Sequence, residues 1–475
     1  MRLGRAAGGA STPAPALLVR IAAVTLILSG CAARIPAASQ AETATVTPAP
    51  SPSKPPFTPT PVATPWVTPS VVSYVDPYSI SFATPEIGWA VGMACGTAGA
   101  CETAVARTGD GGVGWSLTSP PVPPGQQASL SILAGSSQDA WVWGVQMDGS
   151  AVLTATHDGG TSWQPVSTGG LVTSDVVLAN ASVWALVGCP PGGASCPDEL
   201  LTAQVGGGSW AELSQLPASV GGPAAANANL GSALSPQLVQ AAGRAWVLSG
   251  GTLVTTGDAG LTWISLPVPC QAQLQALALA AWSASSLMLV CGSGGAWPAP
   301  QEIWASADGG GAWSLRSRAF VSGISPALID VGSLASQGLP TGIVMTGSDT
   351  AWIWGDREQD MVSADGGATW KAADLPYGSA GGAYGVVFTG VDHGWTFGAG
   401  GLWATVDGGA DWAYQPILGP VPGYGDCRPG RSLAAGQLSC PTTGPGQHVS
   451  FAPRAPRAAR LRVSRRCSAN GRAGA

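Results

Sequence analysis

Six aspartates recur along the chain at nearly regular intervals: Asp110, Asp158, Asp258, Asp308, Asp365 and Asp407. Each sits in the same frame, with a Ser or Thr two residues before it, small residues after it and a Trp five residues on. Carboxylates so placed could ligate a hard cation or flank a glycosidic bond as a paired acid and base. A third use is structural. An Asp side chain accepts main-chain N–H bonds within its own turn, the glycines supply positive φ, and the Trp buries a large ring. The worn copy Ala203-Gln204-Val205-Gly206-Gly207-Gly208-Ser209-Trp210 keeps glycines and Trp but has no Asp. A turn tolerates that loss and a metal site does not, so the aspartates are read as structural.

Other reactive groups are sparse. His157, His393 and His448 are scattered and form no metal or triad spacing. His157 and His393 are expected to be exposed polar turn residues. No pair of acids stands out by spacing, and the expectation is no cofactor and no catalytic residue.

The frame belongs to a longer repeat. Its tryptophans are Trp115, Trp163, Trp210, Trp263, Trp313, Trp370 and Trp412. Each copy is preceded by an apolar segment such as Gly88-Trp89-Ala90-Val91-Gly92 or Ala351-Trp352-Ile353-Trp354-Gly355, degenerate in Leu287–Gly292. With 68 Gly and 20 Trp against 6 Phe and 6 Tyr, Trp is serving a fixed place in a repeat. Each unit reads as four short strands, and seven such units predict an all-β, seven-bladed β-propeller over residues 76–418. Closure of the ring removes exposed sheet edges.

The Ser/Thr-x-Asp-Gly-Gly-x-x-Trp unit resembles the Asp-box, also called the BNR repeat. The resemblance places it at the turn between the third and fourth strands of a blade. Paired with Gly-Trp-Ala-Val-Gly, it is most similar to the photosystem II stability and assembly factor family. That likeness implies a non-catalytic, protein-binding propeller; family members bind through an arginine-bearing patch. Here the body carries only Arg107, Arg244, Arg316, Arg318, Arg357 and Lys371. Sialidases also carry Asp-boxes. The alternative is therefore an exported glycosidase, sialidase-like or another Asp-box glycoside hydrolase, with carbohydrate as its ligand class.

The chain opens with Arg2 and Arg5, and the apolar run Ile21–Leu28 leads to Leu28-Ser29-Gly30-Cys31. This order marks residues 1–30 as a secretory signal. The tetrapeptide resembles the bacterial lipobox, which implies cleavage before Cys31 and lipidation of its sulfur. Residues 31–75, rich in Pro and Thr, are expected to be an extended linker from a lipid anchor on the extracytoplasmic face of a bacterial membrane. Residues 76–418 carry 6 basic against 24 acidic side chains, a net −18, whereas 419–475 carry 9 Arg against Asp426, a net +8. The first balance argues against nucleic acid as a partner of the body. The second describes an unstructured Arg-rich tail suited to anionic lipid or wall polymer, or the product of a shifted reading frame.

Ten cysteines in an exported chain suggest disulfides. Setting Cys31 aside, the expected pairs are Cys95 with Cys101, Cys189 with Cys196, Cys270 with Cys291, and Cys427 with Cys440; the alternative is reduced, buried thiols. The three propeller pairs fall in loops between strands two and three or between blades, on the face opposite the Asp-boxes. That face also carries Trp297 and the charge cluster Asp356, Arg357, Glu358 and Asp360, named as candidate contacts for a protein partner.

Overall fold

The computed structural model describes residues 72–96, 101–122, 128–146, 148–189, 198–217, 236–271, 274–293, 300–319, 331–334, 339–356, 360–373, 375, 383–398, 401–419, 428–429, 438–441 and 448–451. All lie in one unit, 55–475. Cys31, Cys196, Trp297, Arg357, Glu358 and Cys427, with the expected signal and most of the linker, lie outside the described residues.

Seven four-stranded antiparallel sheets form the blades of a β-propeller, each with its strands in chain order. In blade one, β1 (Val72–Phe82), β2 (Gly88–Gly96), β3 (Cys101–Thr108) and β4 (Ser116–Leu117) pair in succession. The first strand begins at Val72, ahead of the expected residue 76, and takes a bulge between Pro77 and Ser79. Pro77 has no N–H to give a ladder. A three-stranded antiparallel sheet of Arg428–Pro429, Leu438–Pro441 and His448–Phe451 follows the ring. It lies within the segment expected to be an unstructured tail; most of that segment's arginines lie beyond the described residues.

Among the described residues the core consists of seven apolar clusters, one at each boundary between neighbouring blades. The two repeat tryptophans explain this. The strand-two Trp of one blade packs with the Trp that follows the strand three–four turn of the next: Trp89 with Trp163, Trp141 with Trp210, Trp184 with Trp263, and Trp246 with Trp313. Trp352 meets Trp412, and Trp395 of blade seven meets Trp115 of blade one. Blade five has Met288 where the others have Trp, and its flexible thioether packs in the cluster of Trp370. Some indoles also donate across the boundary, Trp89 to the Ser136 carbonyl at 2.9 Å, Trp246 to Gly309 at 3.0 Å and Trp395 to Gly111 at 3.1 Å.

First strands have a side without a ladder partner in their own sheet, and side chains from adjoining blades cover several of their N–H groups. Ser79 and Ser81 accept from Ile132 and Ala134 of blade two. The Asp175 carboxylate accepts from Leu238 of blade four at 2.8 Å, and Gln237 both accepts from Leu279 and donates to Leu277 of blade five. The Asp175 carboxyl is held up at about 7 by burial, against the two N–H bonds that lower it. The ring closes without exchanging a strand. The Val75 N–H donates to the Ile417 carbonyl at 3.0 Å, and the ring of Phe82 stacks on Trp395 with centroids 3.5 Å apart.

Candidate functional site

The six aspartates all do the same work. In each of these six turns the Ser or Thr hydroxyl donates to Asp Oδ1 at 2.7–2.9 Å. The same hydroxyl oxygen accepts the N–H of the second Gly, or its equivalent, at 2.8–3.0 Å. Asp Oδ1 also accepts the N–H four residues on, at 2.8–3.0 Å. Asp158, Asp258 and Asp365 gain a hydroxyl donor on Oδ2 from Ser162, Thr262 and Thr369. Hydrogen bonds to the ionised form depress its pKa. The Thr262 and Thr369 hydroxyls, with backbone N–H groups, bring Asp258 and Asp365 down to about 2. The Gly114 and Ala312 N–H groups lower Asp110 and Asp308. Burial raises Asp158, but its bonds from Ser162 outweigh that and leave it lowered.

The worn copy in blade three shows what the Asp supplied. Without it the wrap does not form, and a tight turn closed by the Gly207 N–H on the Gln204 carbonyl at 2.9 Å takes its place.

Among the described residues, the rim that carries the Asp turns also holds three arginines that reach across blade boundaries. Arg107 donates to the Ser137 carbonyl of blade two at 2.9 Å. Arg244 points its Nη1 at Ala284 of blade five at 3.5 Å. Arg316 donates to Gly366 and Asp365 of blade six at 2.8 and 2.9 Å. Arg107 and Arg244 lie over the rings of Trp89 and Trp246 at 5.8 and 5.7 Å. These guanidiniums act first as clasps between blades.

His157 departs from the expectation of an exposed turn residue. Its Nδ1 lies 2.8 Å from Asp139 Oδ1, its ring meets Trp141 edge-on, and its Nε2 is buried with no partner among the described residues. Sequence spacing could not reveal this pair, because Asp139 comes from the turn between the first two strands.

Antiparallel order puts the turns between strands two and three, and the connections between blades, at the opposite end of the ring from the turns that carry the six aspartates. Two of the expected disulfides fasten that end. Cys95 is bonded to Cys101 with Cα atoms 4.1 Å apart, and Cys270 to Cys291 at 5.6 Å. Cys189 is disulfide-bonded as well. Cys440 lies in Leu438–Pro441 of the small sheet.

The charge cluster at this end is not one surface. Asp360 is buried, 8% exposed, where an exposed contact residue was expected. Its carboxylate accepts the Ala383 N–H of blade seven at 3.1 Å, and its carbonyl accepts from Ala373. Burial raises its pKa to about 6, with the Ala383 bond opposing. Asp360 therefore ties blade six to blade seven. Asp356 ends the second strand of blade six, Ala351–Asp356. Glu302, fully buried in blade five, is likewise committed, accepting from Arg318 Nε at 2.7 Å and Trp304 Nε1 at 2.9 Å.

No family model matches the chain, and no curated protein matches it. Solved structures that resemble it are propellers of differing activity. A structure described as YCF48 bound to D1 peptide is 16% identical, with 74% of this chain and 97% of that chain covered and a TM-score of 0.43. The GH74 xyloglucanase from Xanthomonas campestris is 13% identical, with 82% and 75% covered and a TM-score of 0.37. The Hadza microbial sialidase Hz136 is 14% identical, with 64% and 66% covered and a TM-score of 0.34. Likeness at this level carries no argument about chemistry. What stands on the chain's own geometry is a seven-bladed, all-β propeller whose repeated aspartates are turn-forming groups.

Proposed function

We propose that this protein is a surface-anchored, non-catalytic propeller that binds a protein partner and acts as an assembly scaffold. The observation that carries the reading is the placement of the disulfides. Cys95–Cys101 and Cys270–Cys291 both stiffen the end of the ring opposite the Asp-boxes, where the connections differ in length from blade to blade. Rigid, unlike loops lose less entropy on binding and can tell partners apart. The Asp-box rim consists of near-identical turns whose carboxylates are already engaged. The net −18 of residues 76–418 suits a basic or neutral partner. Attachment is through lipid on Cys31, with residues 31–75 as the tether.

Capture of partners from membranes tests the binding surface. Charge reversal at Arg357 and Glu358 weakens capture, whereas reversal at Lys371, exposed beside an Asp-box, does not. Crosslinks confined to the Asp-box turns overturn the assignment of the face, and turnover of a glycoside by the purified chain overturns the non-catalytic reading. For the anchor, Cys31→Ser releases the protein from the detergent phase; unchanged partitioning and mass defeat the anchoring claim.

A further inference from the structure

Arg107 has unspent capacity. A guanidinium presents five N–H donors in a planar fork. One goes to the Ser137 carbonyl, and no carboxylate pairs with Arg107 among the described residues, although acids outnumber bases fourfold in this body. The group is also held still. The Trp89 ring lies 5.8 Å beneath it, and Nη1 stands so close to Gly159 of blade two that a Cβ there would come within 2.2 Å. Arg107 lines a cleft of about 370 Å³ together with Gly109, Trp115, Ser116 and Ser137. The Trp115 indole N–H is already given to Gly112 at 2.9 Å, so what Trp115 offers the cleft is apolar ring surface. Ser116 adds a hydroxyl whose own bond, to the Arg107 carbonyl, is long at 3.4 Å.

A fixed guanidinium fork beside an aromatic surface and a hydroxyl matches a carboxylate carried on a small, partly apolar body. Carboxylates take two parallel N–H bonds from Arg, and a fork already oriented loses little freedom when it binds. We propose that the cleft between blades one and two binds a small organic carboxylate, held on Arg107 with its body against Trp115. This site lies on the Asp-box rim and is independent of the partner-binding face above. The same chemistry occurs in a uronic acid and in a peptide's terminal carboxylate, and the cleft has room for either as a small molecule.

The test is side-chain NMR of the arginine Nε–H groups in the full chain, titrated with sodium glucuronate, with N-acetylglycine and with methyl glucoside at constant ionic strength. The Arg107 signal is assigned by its loss in Arg107→Lys. The expected result is a saturable shift of that signal with one or both carboxylates, at a Kd on the order of 1 mM, and none with the neutral glucoside. A response to glucuronate alone identifies a sugar acid, and one to N-acetylglycine alone identifies a peptide-type carboxylate. Since Arg107→Lys also removes a clasp, Gly109→Phe supplies the second variant. Gly109 lines the cleft and a Cβ there meets nothing within 4 Å, so a bulky side chain at its edge is expected to obstruct the cleft while the clasp remains, with Kd rising about tenfold or more. No saturable shift up to about 50 mM carboxylate, an equal response to methyl glucoside, or undiminished binding in Gly109→Phe each overturns the proposal.

Discussion

The indole of Trp412 stands edge-on to that of Trp352, with centroids 6.1 Å apart and planes at 89°, across the boundary between blades six and seven. Gly409, in the same turn as Trp412, takes φ +88, and a Cβ on it would lie 2.5 Å from the Trp352 ring. The glycine thus answers two demands, a left-handed backbone and room for the preceding blade's indole. Gly409→Ala is expected to lower unfolding free energy by about 1–3 kcal/mol, measured as a fall in the denaturant midpoint. A neutral result would show that the boundary relaxes around the methyl group.

Blade four departs from the Gly-Gly frame. Ala259 occupies the first Gly position at φ 59, in a region that costs an L-residue roughly 1–2 kcal/mol. Ala259→Gly removes that strain but adds unfolded-chain entropy of about 0.4–1 kcal/mol. The expected outcome is a net gain of about 0.5 kcal/mol, read from matched urea transitions; a loss would mean that the Ala methyl group makes a contact worth more than the strain.

Stability should respond to pH at both ends of the carboxylate range. Asp258 and Asp365 titrate at about 2 in the folded chain, below the ordinary carboxylate value. Between those values the unfolded state binds more protons, so their contribution is present above about pH 4 and is lost as pH falls toward 2. Asp360 and Asp175 are raised to about 6 and about 7. There the folded state binds more protons, so stability falls as pH rises from about 4 through 7. Asp360→Asn keeps an oxygen for the Ala383 N–H and removes the titration. Its denaturant midpoint should therefore vary less between pH 4 and 7 than that of the parent chain, and an unchanged profile would refute this assignment.

The Cys270–Cys291 link closes a loop from the connection after blade four to the second strand of blade five. Replacing both cysteines with Ser is expected to cost about 2–4 kcal/mol, seen as a lower transition midpoint in non-reducing buffer. If the midpoint does not move, that loop is already ordered in the unfolded chain or strained in the ring.

The blade pattern was legible because its cause is local. Thr156, Asp158, Gly160 and Ser162 fix one turn among themselves, and that chemistry leaves a spaced motif in the sequence. Blade five could be placed despite Met288, because Asp308 and Trp313 still mark its turn. The disulfides at Cys95–Cys101 and Cys270–Cys291 were legible for the same reason, since topology puts each pair on one end. What spacing does not encode is which separate turns and blades meet in space. Asp360 looked like one of a run of exposed charges, yet it faces the Ala383 N–H. His157 looked like a turn residue, yet it meets Asp139. The Arg107 cleft has walls from two blades and so leaves no continuous signature.

The closure of the ring also joins what is far apart in sequence. Each blade is one continuous stretch of chain, and blade one borrows no strand from blade seven. The sheet that carries Phe82 is therefore complete within blade one, but its stacking partner Trp395 follows roughly 300 residues later. That is a long stretch of chain to be ordered before the seam can close. The seam at Val75 and Ile417 joins the two ends of the blade series, so a chain folded short of it leaves the Val75, Ile80 and Phe82 flank of blade one uncovered.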